Sequence, residues 1–226
     1  MCWIGGVFSF QVVKGAAQDL RIAVFIDWQN AFQSARAAFG PLGEPKRFGN
    51  FSPYRLALHL AHRRSCDSRG ELVRVEIHRG LPSARWDRVG NAANLLQAAA
   101  WKSENPKHVV PRLRPLRYRK GPGSALIASE KGVDVQLALA AVGCVISGEC
   151  DVAIIFSHDS DLLPAVETIR DLKSAGHVET ASWAGPTFKT RIPPVRGVFN
   201  HFVDRDAFAQ IEDLNDYSKP ARPAGP

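Results

Sequence analysis

A chain of 226 residues with 45% hydrophobic side chains can bury a sizeable core and falls in the size range of one α/β domain. Lys and Arg number 29 against 22 Asp and Glu, and the net charge of +7, with a pI near 9.5, favours nucleic acid over an acidic protein or a neutral metabolite. Cysteines 2, 66, 144 and 150 lack CxxC spacing, which argues against zinc ligation and disulfides and for small buried thiols in a reducing cytoplasm.

Residues 1–19 read as a leader. The stretch is apolar, but Gly5 and Gly6 interrupt it, no basic residue precedes it, and it is too short and broken for a signal peptide or a bilayer span. Residues 21–26, R-I-A-V-F-I, form an apolar run rich in β-branched residues that stops at Asp27, the pattern of a buried parallel strand. A helix is predicted over 31–39 and broken by the Gly- and Pro-containing segment 40–45. Ser52 as N-cap and Pro53 at the first helical position open a second helix that ends near Ser65. A strand follows over 72–77, then a long Ala- and Leu-rich helix over 84–102. From Val109 the chain runs as a basic extended stretch into a loop at 121–124. Residues 131–146 are nearly all apolar after Asp134, which predicts a helix sandwiched between a sheet and other elements. D-V-A-I-I-F at 151–156 is the clearest strand, and Asp161 is placed as the cap of the helix after it, with Pro164 in the first turn and Gly176 past the end. Strands over 177–183 and 198–202, separated by Pro193-Pro194, complete a domain assigned to 20–203. A C-terminal helical segment is assigned to 204–217, its acidic helix over 206–214, and a Pro-rich disordered tail to 218–226. Strands alternating with helices predict a single α/β domain, its mostly parallel central sheet flanked by helices.

Such sheets bind ligands beyond the carboxyl ends of their strands. Asp27 and the turn Asp159-Ser160-Asp161 fall there, and Asp134, in the first turn of its helix, can face the same spot. Crowded carboxylates raise one another's pKa; a hard Mg²⁺ or Mn²⁺ ion relieves that repulsion and takes oxygen ligands, waters and phosphate oxygens. It would activate a water and stabilise charge on a phosphodiester. Taken singly, Asp159 or Asp161 is more often an N-cap than a ligand. The combination carries the metal reading, and spacing alone specifies acidic metal chemistry better than a substrate.

F-I-D-W-Q-N at 25–30, K-G-V-D-V-Q-L at 131–137 and D-V-A-I-I-F-S-H-D-S-D-L-L-P at 151–164 resemble, in order and separation, the three motifs of the NYN domain family of PIN-like nucleases. The resemblance covers roughly residues 20–203. It implies a doubly wound α/β fold and Mg²⁺- or Mn²⁺-dependent RNA cleavage, with Asp27, Asp134, Asp159 and Asp161 as metal-binding carboxylates, Asn30 as their polar companion and Ser157 orienting the acidic turn. Two positions depart from the pattern: Trp28 and His158 stand where Gly is usual. Trp28 reads equally as a base-stacking platform or as packing, and His158 more often as incidental than as a phosphate contact or proton shuttle.

Residues 107–120 carry no acidic side chain, and Arg112, Arg114, Arg117, Arg119 and Lys120 surround Tyr118. This is either a track for single-stranded RNA, with Tyr118 stacking a base, or a solvated basic loop. Lys131 reads as a phosphate contact or as a charge that neutralises the carboxylates. The first functional reading is a metal-dependent endoribonuclease; the alternative is a catalytically inactive RNA-binding module of the same fold. A phosphatase of the haloacid dehalogenase type ranks low because its expected second acid is Gln29. No Walker loop, dinucleotide-binding Gly pattern, HExxH or Gly-x-Ser-x-Gly elbow occurs. His59 and His62 read as surface residues without a third ligand, and the oligomeric state stays open, a homodimer included.

Overall fold

The computed structural model describes residues 19–40, 48–63, 70–186, 188 and 190–219. The leader up to 18, most of the 40–45 loop, Cys2, Cys66 and the tail from 220 lie outside the described residues. In chain order the elements are β1 (Leu20–Asp27), α1 (Trp28–Phe39), α2 (Pro53–Arg63), β2 (Gly70–Leu81), α3 (Arg88–Glu104), β3 (Val109–Pro115), β4 (Arg117–Lys120), β5 (Leu126–Ser129), α4 (Val133–Ile146), β6 (Val152–Phe156), α5 (Leu163–Leu172), β7 (Val178–Trp183), β8 (Phe199–Val203) and α6 (Arg205–Ile211).

Six strands form one sheet in the order β3-β2-β1-β6-β7-β8, and every neighbouring pair is parallel. The chain winds outward from β1 through β2 to β3, then returns to β6 and winds the other way. The junction of β1 and β6 is therefore the topological switch point, where the βα turns diverge and leave a crevice.

Alternation along β1 assigns each side chain to one of two cores. Ile22, Val24 and Ile26 face a layer supplied by α1, α2, α3 and α6, with Trp28, Phe51, Trp101, Trp183 and Phe208 filling it. Ala23 and Phe25 face Leu137 and Ala141 of α4 and Val166 and Ile169 of α5. Both faces of β1 and β6 are covered, which is why these strands read as unbroken apolar runs.

Several predicted elements differ in detail. The strand expected over 72–77 extends to Gly70–Leu81, because its far end continues the ladder with β3. The helix expected from 84 begins at Arg88, where Asp87 accepts the Gly90 N–H and caps it. The basic stretch is not one extended segment: β3 joins the sheet, and β4 turns back on β5 as a separate antiparallel hairpin. The helix expected over 206–214 stops at Ile211, whose carbonyl accepts the Ser52 N–H while Glu212 bridges to Phe51. Ser218 and Lys219, expected in the tail, are held in a turn by Asp216.

α4 was expected between a sheet and other elements. One face does pack on the sheet, but Val135, Leu139 and Ile146 are exposed on the other. Cys144 and Cys150 are buried free thiols, as expected. His62 is exposed, whereas His59 is half-buried rather than on the surface, and burial holds its imidazole below the ordinary value.

Candidate functional site

Asp27 ends β1 and caps α1, so its position at the switch point follows from the abrupt end of the apolar run. Its Oδ1 accepts the Asn30 N–H at 3.2 Å, and its Oδ2 accepts the Ser157 hydroxyl at 3.1 Å. Only 5% of the residue is exposed. Burial, with smaller contributions from the charges of Asp134 and Glu130, pushes the carboxyl up to about 7 against the opposing hydrogen bonds from Asn30 and Ser157. Ionised Asp27 is thus short of positive partners among the groups that act on it.

Ser157, fully buried after β6, links Asp27 to the acidic turn: its Oγ donates to Asp27 and accepts the Asp159 N–H at 3.1 Å. The expected orienting role of Ser157 has a visible hydrogen-bond route. Asp159, and not Asp161 as expected, caps the turn that leads into α5, accepting the Asp161 N–H at 3.0 Å. A short 3₁₀ turn before α5 shifts the cap upstream. Asp159 is half-buried, and Asp161 is exposed.

Asn30 locks the first motif to the third: its Oδ1 accepts the His158 N–H at 2.8 Å and stands 3.2 Å from His158 Nδ1. His158 Nε2 accepts the Trp183 N–H at 3.0 Å, so the neutral ring carries its proton on Nδ1 and donates it to Asn30. Burial pulls the imidazole down to about 4. The suggested phosphate contact or proton shuttle does not match this placement; His158 ties the acidic turn to β7. Trp28 likewise is no base platform. It is 1% exposed, with ring centroids 4.3 Å from Trp101 and 4.7 Å from Phe51.

A buried histidine depressed from 6.5 to about 4 destabilises the fold on acidification. The unfolded chain takes the proton first, so stability present above pH 6.5 is lost as pH falls toward 4, by about 3 kcal/mol in all. In an Asp27→Asn background, which removes an opposing slope, His158→Gln is expected to flatten that loss in urea melts between pH 7 and 4.5. An unchanged slope would sink this assignment.

Of the predicted metal ligands, the fold brings Asp27 and Asp134 into electrostatic contact and places Asp159 and Asp161 in the neighbouring βα turn. Among the described residues, no three His, Cys, Asp or Glu side chains stand close enough together to hold an ion as they lie. The donor set still suits Mg²⁺ or Mn²⁺, which need only one or two carboxylates beside waters and substrate phosphates. Glu130 is the acidic neighbour that sequence reading missed. It accepts the Gly80 N–H at 2.8 Å, a contact between β2 and the end of the hairpin that no local pattern announces.

The basic residues divide. Arg112 donates twice, each at 3.1 Å, to buried Glu76. Burial pushes the Glu76 carboxyl up, but the His78 imidazole, its Nε2 3.3 Å away, and the Arg112 hydrogen bonds outweigh it and hold it at about 2. Arg114 donates to the Lys131 carbonyl. Arg117, Arg119, Lys120 and Lys131 are exposed, and the Tyr118 hydroxyl accepts the Ser83 N–H at 2.9 Å. A cleft of about 630 Å³ between the hairpin and α3 is lined by Gln29, Gly80, Pro82, Asp87 and Glu130 among others. Arg79 lines it too, its side chain over the Trp28 and Trp101 rings; burial pulls its guanidinium down to about 10 against the opposing charge of Glu130.

No helix among the described residues is long and apolar enough to cross a membrane. No functionally curated protein matches the chain. A crystal structure of a protein of unknown function from Vibrio parahaemolyticus superposes with a TM-score of 0.50 at 16% identity, covering 85% of this chain and 98% of the other, which is a likeness of fold. The NYN domain profile matches residues 21–184, and its span takes in Asp27, Asp134 and the Asp159–Asp161 turn. With that match over most of its length and a six-stranded parallel sheet that carries the matching motifs at its switch point, the chain belongs to the NYN domain family and has a PIN-like nuclease fold.

Proposed function

We propose that this protein is a divalent-metal-dependent endoribonuclease that hydrolyses RNA phosphodiester bonds at the β1–β6 switch point. The observation that carries this reading is Asp27: a buried carboxyl, pushed up to about 7, beside further negative charge and on a chain of net charge +7. A structural carboxylate would be expected to have a cationic partner there; an ion-binding one is built to lack it.

In this reading Asp27, Asp134, Asp159 and Asp161 hold Mg²⁺ or Mn²⁺. Bound, the ion would lower the pKa of a water and offset charge on the phosphodiester. Ser157 fixes the Asp27 carboxylate, Asn30 and His158 fix the turn that carries Asp159, and Glu130 adds negative charge at the end of the substrate cleft. Arg117, Arg119, Lys120 and Lys131 are assigned to phosphates of single-stranded RNA, with Arg112 and Arg114 setting the shape of the basic edge through their internal bonds. The two buried thiols suit action in a reducing cytoplasm.

The test incubates wild type and an Asp159→Asn, Asp161→Asn double variant with single-stranded and structured RNA in Mn²⁺, Mg²⁺ or EDTA. Cleavage by wild type alone, abolished by EDTA, is expected. Because no three potential ligands are gathered among the described residues, a non-cleaving RNA-binding module of the same fold is the second reading. Folded protein that binds RNA in every buffer and cuts it in none would establish that reading instead.

A further inference from the structure

We infer that Trp86, at the outer rim of the hairpin–α3 cleft, is a stacking platform for a base of single-stranded RNA whose backbone leads inward to the carboxylates. The inference rests on the RNA reading above and adds to it a residue and a direction.

Trp86 is 50% exposed, while Trp28, Trp101 and Trp183, the other tryptophans among the described residues, are buried. Packing does not account for so large an open ring. Nor does it hang on a loose loop: the Trp86 N–H donates to the Ser83 carbonyl at 3.0 Å, the Asp87 N–H to the same carbonyl at 2.8 Å, and Asp87 caps α3. The Ser83 N–H in turn donates to Tyr118, which ties the loop to the hairpin and stands its ring 6.5 Å from that of Trp86, tilted by 41°. The Arg85 guanidinium lies 4.5 Å from the Trp86 ring centroid.

A half-exposed indole on a backbone-anchored turn, with an arginine over its ring, offers a base what it needs: a π-face and a cation for the adjoining phosphate. Alternation along β4 puts Lys120 on the same strand face as Tyr118, adding positive charge where a backbone would pass. That charge and the anionic strand it complements distinguish RNA from an apolar peptide as the occupant.

Continuity sets the direction. Pro82 and Asp87, which flank the Trp86 turn, and Ala128, the register partner of Tyr118, line the cleft, and so do Gln29, two residues from Asp27, and Glu130, whose charge acts on Asp27. Trp86 adjoins the cleft through Asp87 and is not part of its lining, so the platform positions the strand instead of touching the reacting phosphate.

The experiment measures binding of a fluorescein-labelled single-stranded RNA decamer to full-length wild type, Trp86→Ala and Trp86→Phe in EDTA, where cleavage is suppressed, and repeats it with a decamer carrying abasic sites. Trp86→Ala is expected to weaken binding of the intact decamer about tenfold, Trp86→Phe to recover most of it, and the abasic decamer to bind wild type and Trp86→Ala alike. Equal binding of the intact decamer by wild type and Trp86→Ala overturns the platform and leaves the RNA reading standing. Loss of affinity for intact and abasic decamers alike also overturns it, because stacking would then not be what Trp86 supplies. If wild type binds no decamer, with or without Mn²⁺, the RNA reading falls and the platform falls with it.

Discussion

Replacing Asp27 by Asn is expected to stabilise the metal-free protein at pH 8 while abolishing cleavage. The carboxyl titrates near 3.8 in the unfolded chain and at about 7 in the fold. A group whose folded pKa is raised contributes stability below its unfolded value and loses it as pH rises through the folded value, so the window is pH 4 to 7. Above it, ionised Asp27 costs the fold up to about 4 kcal/mol relative to a neutral isostere. Asn retains an oxygen for the Asn30 N–H, and its amide can donate to Ser157 Oγ in place of accepting from it, which leaves the Ser157 hydroxyl proton to turn to another acceptor. At about 2–4 °C per kcal/mol for a domain of this size, a rise in melting temperature on the order of 10 °C is expected in EDTA at pH 8, shrinking toward zero near pH 4. Millimolar Mn²⁺ is expected to raise the melting temperature of wild type and leave Asp27→Asn almost unmoved. A variant no more stable than wild type at pH 8 in EDTA would show that Asp27 is already satisfied, and would remove the main support for an ion site.

The opposite stability effect is expected at the neighbouring residue. Trp28→Ala should destabilise the protein by about 3–5 kcal/mol, the range for truncating a large buried aromatic. The ring sits between Trp101 and Phe51, has Phe32 stacked at 6.4 Å, and supports the Arg79 guanidinium 5.7 Å away. A void there would be lined by other aromatic rings held by their own packing, so little collapse is expected to offset it. Urea unfolding measures the loss, and RNA affinity of the folded protein at low temperature provides the control. Affinity within about twofold of wild type is expected, since a residue 1% exposed cannot stack a base without unpacking. A stable Trp28→Ala variant with strongly weakened RNA binding would restore the platform reading at Trp28 and undo its assignment to the core.

The adjacent pair makes plain what local sequence can and cannot say. Asp27 was legible because an apolar run of strand length ended on a charge, and only a strand end tolerates that change of environment. Trp28, one residue later, was ambiguous: the same indole stacks on a base or on Trp101, and the choice depends on α3, more than 70 residues away in sequence. His158 was ambiguous for the same reason. Its role is set by the Trp183 N–H and by Asn30, neither of which is local. Arg112 looked equivalent to Arg114, Arg117 and Arg119 in the basic run, yet β2–β3 register sets it beside Glu76 and His78 on one face of the sheet.

Sequence by itself determined the parallel α/β architecture, the place of Asp27 and the Asp159–Asp161 turn at strand ends, and membership in a nuclease-fold family, because period, punctuation and motif order are properties of contiguous residues. Tertiary structure alone decided that Trp28 and His158 are internal supports, that Glu130 joins the acidic cluster, and that Trp86 stands open at the mouth of the cleft. Those roles arise from burial and register between segments distant along the chain, and desolvation, which disfavours the charged form of both groups and so raises the Asp27 pKa and lowers that of His158, exists only once those segments have packed.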